Sequence, residues 1–132
     1  MHKKNIAVFA SGRGSNFSAI VKAVNKGKVK GNLAILICDN HEAKVINRAR
    51  RAGVKSAVVL RKDFAAKADF ENKIIAILKE NKTDLIVLAG FMRILSPEFV
   101  RAYSGKIINI HPSILPAFKG DQAIKDAFDY GV

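Results

Sequence analysis

The sequence predicts an open, mainly parallel α/β sheet with helices on both faces. Three observations point there. Short β-rich runs alternate with longer helical patterns along the chain. Several of those runs are apolar throughout, as strands covered on both faces are. The polar, glycine-bearing motifs fall at the ends of the strand-like runs, where ligands bind in sheets of this kind.

The expected strands are Asn5–Ala10, Leu33–Cys38, Ser56–Leu60, Leu85–Ala89 and Lys106–Ile110. Between them, Ser15–Lys26, Glu42–Ala52, Phe64–Asn81 and Pro97–Tyr103 read as helices, with a last one near Gln122–Tyr130. Phe70, Ile74, Ile77 and Leu78 recur at helical spacing and make an apolar stripe on the third helix. Ser96-Pro97-Glu98 supplies an N-cap hydroxyl, a first-turn proline and an early acid, a favourable helix start. Gly53 and Gly105 stand where helices should end. The chain shows no repeats, low-complexity tract or linker, and its β–α–β connections should be right-handed crossovers.

With 132 residues and 49% apolar content, a single domain over residues 1–132 with a sizeable core is expected. The one cysteine excludes an internal disulfide and leaves no zinc-type cluster, so no metal is expected. Met1-His2-Lys3-Lys4 runs straight into a strand-like segment, which reads as no signal peptide, no membrane span and a cytoplasmic location. The formal charge of +12 favours anionic partners, nucleic acid among them, but also phosphorylated metabolites and polycarboxylates. The basic residues are dispersed (Lys22, Lys26, Lys28 and Lys30; Arg48, Arg50 and Arg51; Lys79 and Lys82), the pattern of solvated helix faces rather than a binding stripe.

Three loops carry chemistry. In Ser11-Gly12-Arg13-Gly14-Ser15-Asn16 the glycines allow a tight turn into a helix whose N-terminal N–H groups are open to an anion. Phe17 stands where a dinucleotide fingerprint needs glycine, which weakens that reading, and no Gly-Lys-Ser/Thr follows, which excludes a P-loop. Asp39, at the end of the second strand, could still imitate a ribose-binding acid. In Leu88-Ala89-Gly90-Phe91-Met92-Arg93-Ile94-Leu95, Gly90 permits close backbone approach, and Met92, Ile94 and Leu95 could line a flat apolar slot beside Arg93. Taken alone, that pattern also suits core plus a surface arginine. In Asn109-Ile110-His111-Pro112-Ser113-Ile114-Leu115-Pro116, Asn109 and His111 share one face of a strand. An Asn can donate to a developing oxyanion, and a His can carry a proton near neutral pH. Acyl or formyl transfer fits that pair. His2 and His41 read as structural residues.

Together the three loops resemble the phosphoribosylglycinamide formyltransferase family, through Gly-x-Gly-Ser-Asn, Leu-Ala-Gly-Phe-Met-Arg-Ile-Leu and Asn-Ile-His-Pro-Ser-x-Leu-Pro, in order from the first strand to Val132. The resemblance implies a Rossmann-like formyltransferase fold. It also implies transfer of a formyl group from 10-formyltetrahydrofolate, as cosubstrate, to the amine of glycinamide ribonucleotide in purine biosynthesis. Gly14, Ser15 and Asn16 would hold the ribonucleotide phosphate, and Pro112 would shape the substrate side. Met92, Arg93, Ile94 and Leu95 would line the folate site. Asn109 would hydrogen-bond the formyl oxygen. His111 would stabilise the tetrahedral intermediate and shuttle protons. Lys67 stands where some members carry a folate-contacting arginine, keeping the charge without the planar fork.

Formyltetrahydrofolate hydrolase and methionyl-tRNA formyltransferase share the Asn-x-His-Pro segment and are the neighbouring alternatives. A basic nucleic-acid-binding module and a dinucleotide-dependent oxidoreductase are alternatives of other classes. The Gly-Ser-Asn loop favours the nucleotide-phosphate substrate, with small molecules rather than nucleic acid or membrane as partners. Family members continue for further strands and a helix, including an Asp-x-Gly-Pro segment whose aspartate pairs with the histidine. The 132 residues are therefore expected to be the N-terminal part of the family domain, with little transferase activity alone and an open sheet edge that invites homo-oligomers.

Overall fold

A computed structural model of the protein describes residues 3–110. The strands are β1 (Lys4–Ala10), β2 (Gly31–Cys38), β3 (Ser56–Val58), β4 (Leu85–Leu88) and β5 (Ile107–Asn109). The helices are α1 (Ser15–Asn25), α2 (Val45–Ala52), α3 (Lys67–Glu80) and α4 (Pro97–Ala102). The described strands form one sheet in the order β3-β2-β1-β4-β5, every pairing parallel. The chain works outward from β1 to β3, then crosses back to β4 and β5. The order therefore reverses between β1 and β4, the switch point at which open α/β sheets leave a crevice.

The central strands β1, β2 and β4 bury both faces, which is why those runs are apolar without alternation. Ile6, Val8, Ala10, Leu36, Cys38, Val87, Ile108 and Ile110 pack on one side with Phe17, Ile20 and Ala23 of α1 and Val45 and Ala49 of α2. Ala7, Phe9, Ile35, Ile37 and Ile86 pack on the other with Phe70, Ile74, Ile77 and Leu78 of α3 and Phe99 of α4. Helices thus cover both faces, as the sequence led one to expect. Phe9, Phe17, Phe70 and Phe99 are among the largest fully buried side chains, and each contributes about 1.5–3 kcal/mol through burial.

The terminal devices act as read. Ser96 caps α4 by accepting the Phe99 N–H at 3.1 Å, with Pro97 in the first turn. Gly53 ends α2 in the left-handed region, φ 73°. Some boundaries move. α2 begins at Val45 rather than Glu42, after a turn in which Asn40 Oδ1 accepts the Glu42 N–H at 3.0 Å. β3 stops at Val58, and a 3-10 turn at Arg61–Asp63 follows it. α3 begins at Lys67 rather than Phe64, because Phe64 and Ala66 both have extended backbone. Arg61 donates to the Phe64 carbonyl at 2.8 Å, and the Phe64 ring meets Phe70 edge-on at 6.0 Å. The expected helix at Gln122–Tyr130 lies outside the described residues.

The dispersed lysines lie on the surface, Lys22, Lys26, Lys28, Lys30, Lys79 and Lys82 all being exposed. Arg48 differs: it donates to Ser18 Oγ at 2.8 Å and ties α2 to α1. No described helix is long and apolar enough to cross a membrane.

Candidate active site

β1 carries the chain to the carboxyl edge of the sheet and releases it at Ser11 into the glycine loop. Gly14 takes φ +86° and forms the N-cap of α1 without any side-chain cap. A Cβ at Gly14 would lie 2.6 Å from Val45 Cγ2, so the loop backbone is pressed against the start of α2. The Val45 N–H donates to the Gly12 carbonyl at 3.0 Å and fixes that approach. The first turn of α1 holds no acid. Its backbone donors stand beside exposed Ser15 and half-buried Asn16, an arrangement suited to a phosphate.

β4 ends beside β1, and the segment after it is fastened at several points. Ser11 N–H donates to the Gly90 carbonyl at 3.2 Å, and Ser11 Oγ accepts the Met92 N–H at 2.8 Å. Between those bonds, the Phe91 ring meets Phe9 edge-on at 5.2 Å. Arg93 Nε donates to Asp39 Oδ2 at 3.0 Å, and its guanidinium lies 6.0 Å from the centre of the Phe70 ring. At the far end, Glu71 accepts the Ser96 N–H at 2.8 Å with one carboxylate oxygen and the Ser96 hydroxyl with the other.

The structure adds to three of the sequence readings. Asp39 is engaged at one oxygen by Arg93, while Oδ1 has no hydrogen-bond partner. Its side chain is only 6% exposed and lines a cleft of about 440 Å³ with Ser11, Asn40, His41, Arg61 and Met92. The apolar residues of the segment do not close into one slot. Met92 and Ile94 are 82% and 83% exposed, whereas Leu95 turns back to pack beside Phe91 on the α3/α4 side of the sheet. His41 is exposed and 3.7 Å from Glu42, not buried in a structural role. A second cleft, of about 370 Å³ around Asn5, Asn32 and Lys55, opens at the other end of the strands, away from all three loops.

Asn109 closes β5, in register with Leu88. It is exposed, while its neighbours Ile108 and Ile110 are buried toward α1 and α2. Strand alternation sets Asn109 on the opposite side, the one that Leu95 and Phe91 share. His111 and Pro112, its expected companions, lie outside the described residues, as does His2. Lys67 is exposed at the first turn of α3, one helical turn before Glu71. Thus the glycine loop, the Gly90–Ser96 segment and Asn109 gather along one edge of the sheet.

The sequence reading missed Ser11 and Glu71. Glu71 left a signal: an acid at helical spacing from Ile74 and Leu78, inside the apolar stripe, is 5% exposed and needs partners. Ser11 left none beyond its position next to the glycines. Near the edge, burial pushes the Cys38 thiol up from its ordinary value, against the hydrogen bond it makes to the Asn40 carbonyl. At α4, its own backbone N–H and then Ser96 hold the Glu98 carboxyl below the usual range.

Residues 4–132 match the formyl transferase family. The chain is 47% identical over 129 residues to the phosphoribosylglycinamide formyltransferase of Bacillus subtilis strain 168, covering 98% of this chain and 66% of that protein. It is 39% identical over 130 residues to the trifunctional purine biosynthetic protein adenosine-3 of Bos taurus, covering 98% of this chain and 13% of that much longer protein. The crystal structure of glycinamide ribonucleotide transformylase 1 from Geobacillus kaustophilus matches with a TM-score of 0.81 and 50% identity, over 99% of this chain and 70% of that one. With the parallel sheet and the three loops at its carboxyl edge, these likenesses carry one conclusion: the chain belongs to the formyl transferase family, with phosphoribosylglycinamide formyltransferases among its relatives.

Proposed function

We propose that this chain acts in the transfer of a formyl group from 10-formyltetrahydrofolate to the amine of glycinamide ribonucleotide, a step of de novo purine biosynthesis in the cytoplasm. The observation that carries this reading is the convergence of the glycine loop, the Gly90–Ser96 segment and Asn109 on one sheet edge. Residues 1–132 contribute to a single catalytic domain, whose partners are the two small molecules.

In this reading Gly14, Ser15 and Asn16 bind the ribonucleotide phosphate through backbone N–H groups and short polar side chains. Met92, Arg93, Ile94 and Leu95 hold the folate, with Lys67 attracting its acidic tail. The substrate amine attacks the formyl carbon and negative charge builds on the formyl oxygen. The Asn109 amide donates to that oxygen. His111 carries the proton from the attacking amine toward the departing folate nitrogen, and Pro112 shapes the amine's approach. Positioning supplies much of the rate, since both reactants are held side by side.

Isothermal titration of glycinamide ribonucleotide, NAD and duplex DNA into the 132-residue chain tests the assignment. Saturable binding of the ribonucleotide, weakened roughly tenfold in Asn16→Ala through loss of a charge-assisted hydrogen bond, is the expected result. Binding of NAD or DNA with no response to the ribonucleotide overturns it. Formylated product, measured by mass spectrometry with the chain extended to the full length of its relatives, should fall in Asn109→Ala and His111→Ala relative to the extended parent.

A further inference from the structure

Ser11 belongs to neither set of ligand-contacting residues, yet it joins them. It is 8% exposed, follows directly on β1, and immediately precedes the glycine loop. Its backbone donates to Gly90 and its hydroxyl accepts from Met92, so it grips both sides of Phe91. Phe91 in turn packs on Phe9, two residues before Ser11 on β1. Two hydrogen bonds and a ring contact therefore clamp the end of β1 to the segment after β4, at the switch point of the sheet.

The other tethers of that segment lead elsewhere. Asp39 ties Arg93 to the end of β2, and Glu71 ties Ser96 to α3. Ser11 is the tether that leads into the glycine loop, where the next residue, Gly12, is itself held by the Val45 N–H. A ligand that orders Gly12–Asn16 also fixes the Ser11 backbone, and with it the acceptor on which the Met92 N–H depends. Met92 and Ile94 are largely exposed, so a ligand seated on them must restrict side chains and backbone that the clamp already partly orders.

We propose that Ser11 is a positioning residue that couples the two substrate sites, so that occupancy of the glycine loop tightens binding at the Met92–Leu95 segment and the reverse. This rests on the reading of the two loops given above. Coupling of this kind is reciprocal by thermodynamic necessity. Arg93–Asp39 and Glu71–Ser96 set the resting shape of the segment, while Ser11 makes that shape depend on the neighbouring loop.

The test is a set of titrations on the 132-residue chain: glycinamide ribonucleotide with and without saturating 5-formyltetrahydrofolate, a formyl isomer that does not donate, and then the converse. In the parent chain each ligand should tighten the other by the same factor, about fivefold or more. Ser11→Ala, which removes the acceptor for the Met92 N–H, should bring that factor close to one, and Ser11→Thr, which keeps the hydroxyl, should restore it. The ratio is the readout, because a merely structural loss would weaken both ligands without changing it. Hydrogen exchange across residues 90–95 should slow on adding the ribonucleotide to the parent chain and stay unchanged in Ser11→Ala. Should Ser11→Ala fail to fold by circular dichroism, Phe91→Leu loosens the ring half of the clamp and should reduce the factor by about half. A parent factor of one, or an unchanged factor in the variants, overturns the coupling while leaving the substrate assignment standing. Failure of the parent chain to bind either ligand overturns the assignment itself and the coupling with it.

Discussion

Glu71, on the buried side of α3, holds Ser96 with both carboxylate oxygens, one on the backbone N–H and one on the hydroxyl that caps α4. One acid therefore sets where the Gly90–Ser96 segment ends and where the next helix begins. Glu71→Ala should cost about 2–3 kcal/mol, because two half-buried donors lose their acceptor together. Glu71→Gln should cost less, its amide oxygen still serving one of them. Urea denaturation at neutral pH, followed by circular dichroism, measures both.

Gly14→Ala should destabilise the chain by about 2–4 kcal/mol, combining the left-handed backbone penalty with overpacking against Val45. Pairing it with Val45→Ala should relieve only the contact with Cγ2, since Val45 Cβ and Cα lie within 2.9 Å of the added methyl and stay in place, a partial non-additivity that denaturation of the two single variants and the double reveals.

Arg93→Ala should cost about 1–2 kcal/mol. The loss stays below that of a fully buried pair because Arg93 is 44% exposed while Asp39 is nearly enclosed. Asp39→Ala placed on that background should return part of the stability, since it removes the stranded carboxylate. A double-mutant cycle in low and high salt checks the coupling.

Cys38 is buried and its thiol is pushed up by that burial. An unfolded thiol ionises earlier, so the unfolded state sheds protons first as pH rises. The stabilising contribution is whole below the ordinary value of 9.0 and is lost progressively as pH climbs toward the raised one. Tyr103, also raised by burial, adds the same trend from its ordinary value of 10.0 upward. Denaturation midpoints should therefore fall on the alkaline side, and Cys38→Ala should flatten the part that begins near the thiol's range. A thiol-reactive dye at mildly alkaline pH should label the native chain roughly 100-fold more slowly than the unfolded one.

The sheet was legible because β1, β2 and β4 are short runs apolar on both faces, as doubly covered strands are. The Phe70–Ile74–Ile77–Leu78 stripe gave α3 its face, and Ser96-Pro97 gave α4 its start. The starts of α2 and α3 were less legible. Residues 42–44 and 64–66 have helix-compatible composition, and the Asn40 side chain and the Arg61–Phe64 bond decide otherwise. Among the site residues, the glycine loop, Met92–Leu95 and Asn109 could be read from local chemistry. The pairings of Ser11 with Met92, Asp39 with Arg93 and Glu71 with Ser96 could not, because each joins residues far apart in sequence.

The contact between Gly14 and Val45 brings the beginnings of α1 and α2 to the same point. Each helix carries about half a positive charge at that end from its aligned peptide dipoles, and neither has an acid in its first turn to offset it. The electrostatic field at the glycine loop is thus written into the main chain twice over. Neutralising Arg13 would leave that field standing, whereas an aspartate at Ser15 or Ile46 would oppose it from within.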